Sequence, residues 1–317
     1  ARIQARHYVL AGGGIEVPRL LLASNRVVRN GIGNEHDNVG RYFQEHARVK
    51  DRYRLPQDSK ALASRVVGAA GTLRFSRLGL TEDIQREEEL LDYFVNVSFG
   101  YACQDTPQWT ALRRIVNAKR RPWSDSPYYQ DIGGGPNRIR REDVQTVLVR
   151  PDRTFRSLVG ALMRPTSLRR WLELDSSVEQ APHRDNRVQL SSETDELGMP
   201  KAELHWRLDG SEERTYRRGL ELVLDEVDRL APGLKHNRMD DPDPWPDEVI
   251  GTWHHVGTTR MDADPRHGVV DADGKVHGVD NLFVVSSSVF PSSGAVSPTV
   301  TIACLALRLK DHLVTLG

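Results

Sequence analysis

Two adjacent imidazoles, His254 and His255, stand immediately before Val256-Gly257-Thr258-Thr259-Arg260-Met261. A neutral imidazole accepts a proton near pH 7, so this pair is a candidate general base. Downstream, Asn281-Leu282-Phe283-Val284-Val285 is a continuous apolar run, as expected of a strand buried on both faces. It runs into Ser286-Ser287-Ser288 and a glycine-bearing loop, Phe290-Pro291-Ser292-Ser293-Gly294. Ser297-Pro298-Thr299 then opens a helix expected to reach about Val314, with Ser297 as N-cap and Pro298 as first helical residue. Strand, loop and helix N-terminus form a corner whose free N–H groups bind anions, placed where open α/β sheets hold cofactors. A histidine beside such a corner suits proton removal during substrate oxidation. Taken singly, each piece also reads as a capped helix and a satisfied histidine.

The elements that must position this corner come from both ends of the chain. His7-Tyr8-Val9-Leu10-Ala11 is a short apolar strand ending at Gly12-Gly13-Gly14, followed by a helix with Pro18 in its first turn. Gly12 and Gly14 fit a dinucleotide fingerprint, but Val17 stands where its third glycine belongs. Residues 47–100 mix short alternating segments read as strands, with an amphipathic helix near Glu82–Leu91. Asn96-Val97-Ser98 matches a glycosylation sequon but lies in an apparent strand. Residues 104–175 are rich in Arg, Pro and Trp and read as a solvated helical insertion, and Gly133-Gly134-Gly135 follows no strand. Asn186–Leu190 and Ala202–Leu208 alternate as a hairpin, and Ser211-Glu212-Glu213 opens a helix whose apolar face ends at Pro232-Gly233. The three prolines of Asp240–Asp247 read as a linker.

Composition bounds the function. The 317 residues suffice for one large domain or two ordinary ones, and 38% hydrophobic with 28% charged residues is wet but globular. Lys and Arg total 44 and so do Asp and Glu, which argues against a nucleic-acid or anionic-membrane partner. No apolar run approaches the ~20 residues of a membrane span. Two cysteines, Cys103 and Cys304, exclude a disulfide framework and a Cys-based zinc site, and no metal site is expected. No signal-peptide pattern opens the chain and the compartment stays open; the first residues read as the middle of a domain, so the chain is expected to begin inside a longer protein.

Three blocks of the sequence together resemble the glucose-methanol-choline (GMC) family of FAD-dependent oxidoreductases. Val9-Leu10-Ala11-Gly12-Gly13-Gly14-Ile15-Glu16-Val17-Pro18-Arg19-Leu20-Leu21-Leu22 is similar to the family's second signature, and Val39-Gly40-Arg41-Tyr42-Phe43 with His46 to the segment after it. His254 to Leu313 resembles the C-terminal module, through His-x-x-Gly-Thr-x-Arg-Met, Asp264-Pro265, Val276-His277-Gly278-Val279, Asn281-Leu282-Phe283-Val284 and Pro298-Thr299. Residues 47–248 match weakly, apart from Asn186-Arg187-Val188 and Gly198-Met199-Pro200.

The resemblance implies an α/β fold with an α+β substrate domain. A partial, Rossmann-like FAD-binding domain (1–46) would be completed by the C-terminal module (249–317), with an antiparallel-sheet substrate domain between (47–248). It implies FAD as hydride acceptor and a small alcohol or sugar as substrate. His254 takes the position of the catalytic base, His255 that of a neighbouring substrate contact, and Ser297 that of a second catalytic residue where relatives carry His or Asn. Ala11, Gly12, Ser286 and Ser287 would lie against FAD, and Pro298 and Thr299 would set helix N–H groups near the flavin. The family's N-terminal Gly-x-Gly-x-x-Gly unit has no counterpart here. The alternative is therefore an inactive fragment, or a binding subunit that needs a separate N-terminal FAD-binding chain.

Overall fold

The computed structural model describes residues 3–56, 62, 76–120, 139–163, 169–239, 243–247 and 249–316. Two hydrophobic cores organise them. The first joins distant parts of the sequence: strand β1 (Tyr8–Leu10) pairs in parallel with the strand Leu282–Val284, in the register Val9 to Phe283. Helix α1 (Gly13–Ala23) follows β1 and buries Val17 and Leu21 against Val39, Val269, Val276 and Val289.

The second core lies under a four-stranded antiparallel sheet of β2 (Ala47–Arg54), β3 (Ser76–Gly79), β4 (Tyr93–Tyr101) and β5 (Arg169–Val178), in the order β2-β5-β4-β3. Period-two alternation sorts its side chains. Val49, Val95, Val97, Leu172 and Leu174 point to one face and are buried by the apolar stripe Tyr216, Leu220, Val223 and Val227 of a long helix, Ser211–Leu230. Gly219 lets that helix approach closely: a Cβ there would stand 2.7 Å from the Tyr93 ring. The opposite face carries Arg48, Ser177, Phe94, Asp175, Asn96 and Arg77.

Between these strands run the helices α2 (Glu82–Glu87), α3 (Pro107–Arg120), α4 (Arg141–Val149) and α5 (Pro151–Met163). Strands β6 (Arg187–Thr194) and β7 (Pro200–His205) form the expected hairpin, the long helix is α6, the returning strand is β8, and α7 spans Thr299–Thr315. Among the described residues no helix is long and apolar enough to cross a membrane.

Two expectations change. The Arg-rich segment is not helical to its end, because Arg169–Val178 is the central strand β5; Leu172-Glu173-Leu174-Asp175 alternates, and the flanking arginines hide it. The end of the proline-rich stretch, 243–247, is not a free linker, because Trp245 is buried and stacks on Tyr216 with ring centroids 5.5 Å apart. Gly133–Gly135 and the middle of the insertion lie outside the described residues.

Helix α1 starts at Gly13, so Pro18 sits inside it rather than in its first turn. A proline there leaves the carbonyl four residues back without its helical donor. That carbonyl, on Gly14, instead accepts the Thr258 hydroxyl at 2.7 Å. Gly14 also allows the His255 backbone to close in, since a Cβ at Gly14 would stand 2.5 Å from the His255 carbonyl oxygen. The helix is thus clamped to the segment that carries both histidines. Thr258→Val should cost about 1–3 kcal/mol, the penalty for a buried carbonyl left without a donor. Gly14→Ala should cost at least as much, since it meets backbone. Urea unfolding of the two variants checks this, and a midpoint like that of wild type in both would show the clamp to be idle.

Candidate active site

Residues 250–256 run alongside 44–48. Arg48 and Ile250 exchange backbone hydrogen bonds at 3.0 Å, as do Gln44 and Val256 at 3.0 and 3.1 Å. Six residues span 250 to 255 where the partner strand offers fewer, so the segment bulges and Trp253 takes a left-handed φ of 65°. The Glu45 carboxylate fills the bulge. It is buried, accepts the Thr252 hydroxyl at 2.8 Å and the backbone N–H groups of His46 and His254 at 2.9 and 3.1 Å, and faces His255 Nε2 at 3.3 Å.

These bonds fix a tautomer. Thr252 has one hydroxyl proton and gives it to Glu45, so its oxygen accepts from His254 Nδ1–H at 3.0 Å. His46 Nδ1, 3.2 Å from the same nitrogen, must then be bare, and the His46 proton sits on Nε2. His254 is left with its lone pair on Nε2, and the Ser297 hydroxyl stands 3.4 Å from that nitrogen. Burial pulls the His254 pKa below its ordinary value; His255 and Arg48 push it the same way, and Glu45 opposes them. A neutral, correctly protonated imidazole therefore faces a cavity of 320 Å³ between the outer face of the four-stranded sheet and the 252–254 and 295–297 segments. A larger open groove of 860 Å³, between the end of α1 and residues 277–279, holds none of these groups.

The loop that presents Ser297 is held by acceptors from afar. Three consecutive backbone N–H groups, of Ser293, Gly294 and Ala295, donate to Gln44 Oε1, Glu179 Oε1 and Asp92 Oδ2 at 3.0, 3.0 and 2.8 Å. Ser177 donates to the Ala295 carbonyl at 3.1 Å. Ser297 is not the expected N-cap. Helix α7 begins one residue later, Pro298 is its cap without a side-chain bond, and Ser297 Oγ turns to His254 and to Thr299 Oγ1 at 3.3 Å. With Pro298 as the cap, Ser297 lies outside the helix, and its hydroxyl faces the cavity.

The other expected positions divide. His255 does not line the cavity; its ring lies between Glu45 and Phe43, and its carbonyl accepts the Ser287 hydroxyl at 2.7 Å. Ser286 and Ser287 are buried, and Ser286 bonds Ser288 Oγ at 2.6 Å, so these hydroxyls tie the end of β8 to the histidine segment. Ala11 and Gly12 are exposed where β1 ends, and a Cβ built on neighbouring Gly13 would meet open space. Thr299 is exposed at the start of α7, whose first N–H groups have no side-chain cap. A flat, anionic group such as FAD fits this donor set: small residues leave room at one end and uncapped helix N–H groups stand at the other. Sequence reasoning missed Glu45, Thr252 and the loop acceptors.

His46 gives the cluster a pH signature. Burial, and then the neighbouring His254, lowers its pKa from 6.5 to about 4. The unfolded chain takes up a proton near pH 6.5 that the native protein refuses until about pH 4. Stability from this group is thus complete above pH 6.5 and is lost as pH falls toward 4, by about 3 kcal/mol. His46→Gln should lose less stability than wild type between pH 7 and 4.5. Parallel pH profiles from urea unfolding would contradict this.

Residues 182–306 match the family model described as GMC oxidoreductase. Paromamine 6′-oxidase of Streptomyces fradiae is 34% identical over 142 residues, 43% of this chain and 24% of that protein. The fructose dehydrogenase large subunit of Gluconobacter japonicus is 24% identical across 99% of this chain and 48% of its own length. The chain thus spans half or less of the length of these relatives. Among solved structures, pyridoxine 4-oxidase from Mesorbium loti superposes with a TM-score of 0.54 at 16% identity, over 96% of this chain and 51% of that one, a likeness of fold. Sequence and fold agree in what they resemble: residues 182–306 carry the GMC oxidoreductase model, and the chain is similar to the C-terminal portion of GMC oxidoreductases.

Proposed function

We propose that this chain forms the substrate side of an enzyme that oxidises an alcohol or sugar hydroxyl, with His254 as general base and FAD as its cofactor. The observation that carries the reading is the bare Nε2 of a neutral His254, aimed into the 320 Å³ cavity and 3.4 Å from the Ser297 hydroxyl. A substrate hydroxyl placed between them would give its proton to Nε2, while Ser297 donates to or accepts from the same oxygen. Thr252, itself bonded to Glu45, holds the imidazole by its other nitrogen, as the imidazolium formed by proton transfer requires. Two relatives are named for acting on paromamine and fructose, which supports a sugar or related alcohol as substrate.

FAD, when bound, would supply the hydride acceptor. Ala11 and Gly12, the turn at Ser286 and Ser287, and the uncapped N–H groups that begin at Thr299, just after Pro298, are the groups that would hold it. The two separate cores support a domain division at 1–46, 47–248 and 249–317. The β1–β8 pair leaves Val9 44% exposed, and α7 leaves Val300 and Leu307 74% and 65% exposed. Parallel sheets are normally covered on both faces. That surface supports the second reading, in which a further segment or a separate chain bearing a dinucleotide fingerprint completes the FAD site. Residues 1–317 alone should then lose added FAD on desalting; a stoichiometric flavin spectrum would overturn this.

In the FAD-loaded enzyme, His254→Ala should slow flavin reduction by about 10²- to 10⁴-fold, the usual worth of a positioned base. Because the His254 pKa is lowered, the neutral base persists below pH 6.5, and the acid limb of the rate should fall below that value. Stopped-flow reduction across pH measures both, and unchanged kinetics in flavin-replete His254→Ala would remove the base. Ser297→Ala loses no cap bond, so its melting temperature should stay close to wild type while flavin reduction slows several-fold. A melting change with unaltered kinetics would mark the serine as structural.

A further inference from the structure

The floor of the His254 cavity carries a cation that proton abstraction does not need. Sheet register sets two rows of side chains there: Arg48, Ser177 and Phe94, then Asp175, Asn96 and Arg77. Arg48 is neutralised by Asp175 through a forked pair, with Nε to Oδ1 at 2.5 Å. Arg77 is different. Its Nε donates to Asn96 Oδ1 at 3.0 Å, and its guanidinium lies 4.7 Å above the centre of the Phe94 ring. Both partners are uncharged, and among the described residues no carboxylate pairs with Arg77.

The remaining wall confirms the sign. His46, Thr252, Trp253, His254 and Ser297 line the rest of the cavity, and among the described residues no carboxylate does. Ring and amide hold the guanidinium plane still, so the fork of Nη donors is ordered before any ligand arrives, which lowers the entropy cost of binding. An ordered guanidinium fork is the geometry that a carboxylate matches with two parallel hydrogen bonds. Around it, Asn96, Ser177 and Thr252 offer polar atoms, and Trp253, 55% exposed, offers an apolar face. A volume of 320 Å³ suits a single sugar ring.

We propose that Arg77 is the anion-recognising residue of this site, and that the substrate class is a sugar bearing a carboxylate, bound with its charge at Arg77 and its reacting hydroxyl at His254. The proposal rests on the reading of the cavity as the substrate site, and deepens it. It also sets an order: anionic sugars bind before neutral ones, and sugars with an ammonium group bind worst.

The test uses three methyl β-glucosides that differ only at C6, with a hydroxymethyl, a carboxylate or an aminomethyl group. Binding to residues 1–317 is followed by titration calorimetry and saturation-transfer NMR, with no flavin turnover required. The carboxylate should bind about tenfold more tightly than the neutral sugar, and the preference should shrink with added salt. Arg77→Gln should reduce the preference to within about twofold, whereas Arg77→Lys should keep part of it, having the charge without the fork. Arg77 is exposed on the edge strand β3, where both variants leave the core untouched. Equal binding of the three sugars, a preference that survives Arg77→Gln, or no binding of any of them would each overturn the proposal. Flavin reduction in the FAD-loaded enzyme separates the two readings. Turnover without a charge preference sinks only the Arg77 assignment; a charge preference without turnover sinks only the oxidation reading.

Discussion

A buried carboxylate has to be satisfied or it destabilises the fold, and Glu45 is the group on which this site's geometry depends. It reaches its acceptor quota only if 250–256 leaves the strand it runs along and folds its N–H and hydroxyl groups inward. The left-handed Trp253 follows from that demand, because the chain must turn sharply to deliver both Thr252 and His254 to one carboxylate. Such strain costs of order 1–3 kcal/mol per residue and survives only where neighbours over-determine it. Here the backbone pairs of Arg48 with Ile250 and Gln44 with Val256 pin both ends of the bulge.

The same carboxylate decides where a proton sits several bonds away. By taking the Thr252 proton it makes the Thr252 oxygen an acceptor, which puts hydrogen on His254 Nδ1 and leaves Nε2 bare. His46 then has to carry its hydrogen on Nε2, where no partner within bonding geometry stands among the described residues. A buried imidazole in that state resists a charge, so it cannot compete with His254 for the substrate proton. The two histidines, though adjacent, are pushed into unequal roles by one threonine. His255 has a third role: its ring packs beside Glu45, and its backbone takes the Ser287 hydroxyl and the close approach of Gly14.

How much of this was legible in the sequence depends on how local the signal is. The β1 turn, the hairpin β6–β7, helix α6 and the apolar strand β8 rest on periodicity and turn residues within a short window, and they appear where expected. His254 stood out by its surroundings in sequence. Glu45 did not, because it acts 209 residues away from His254, and nothing beside it announces a partner. The acceptors Gln44, Glu179 and Asp92 were hidden for the same reason. Ser297 misled in the opposite way: Ser-Pro at a helix start is a good local capping signal, yet the chain spends the hydroxyl on a histidine 43 positions away. Pro18 misled too, since only the structure shows Thr258 filling the gap it leaves.

The four-stranded sheet makes the division of labour physical. Successive residues of a strand face opposite ways, so Arg48 and Val49, Phe94 and Val95, Asn96 and Val97 each place one side chain in the site and the next in the core. A change on the core face meets helix α6 and registers as stability. A change on the site face meets the cavity and registers as selectivity, with little core to disturb. The two faces are nonetheless coupled through backbone: a shift of β5 by one residue would exchange Asp175 and Leu174, burying a carboxylate and stripping Arg48 of its partner. Register is therefore held from both sides, by the apolar stripe below and by the Arg48–Asp175 pair above. Among the described residues, the floor of the site carries a guanidinium at its edge without a paired carboxylate, while its central pair, Arg48 with Asp175, is satisfied.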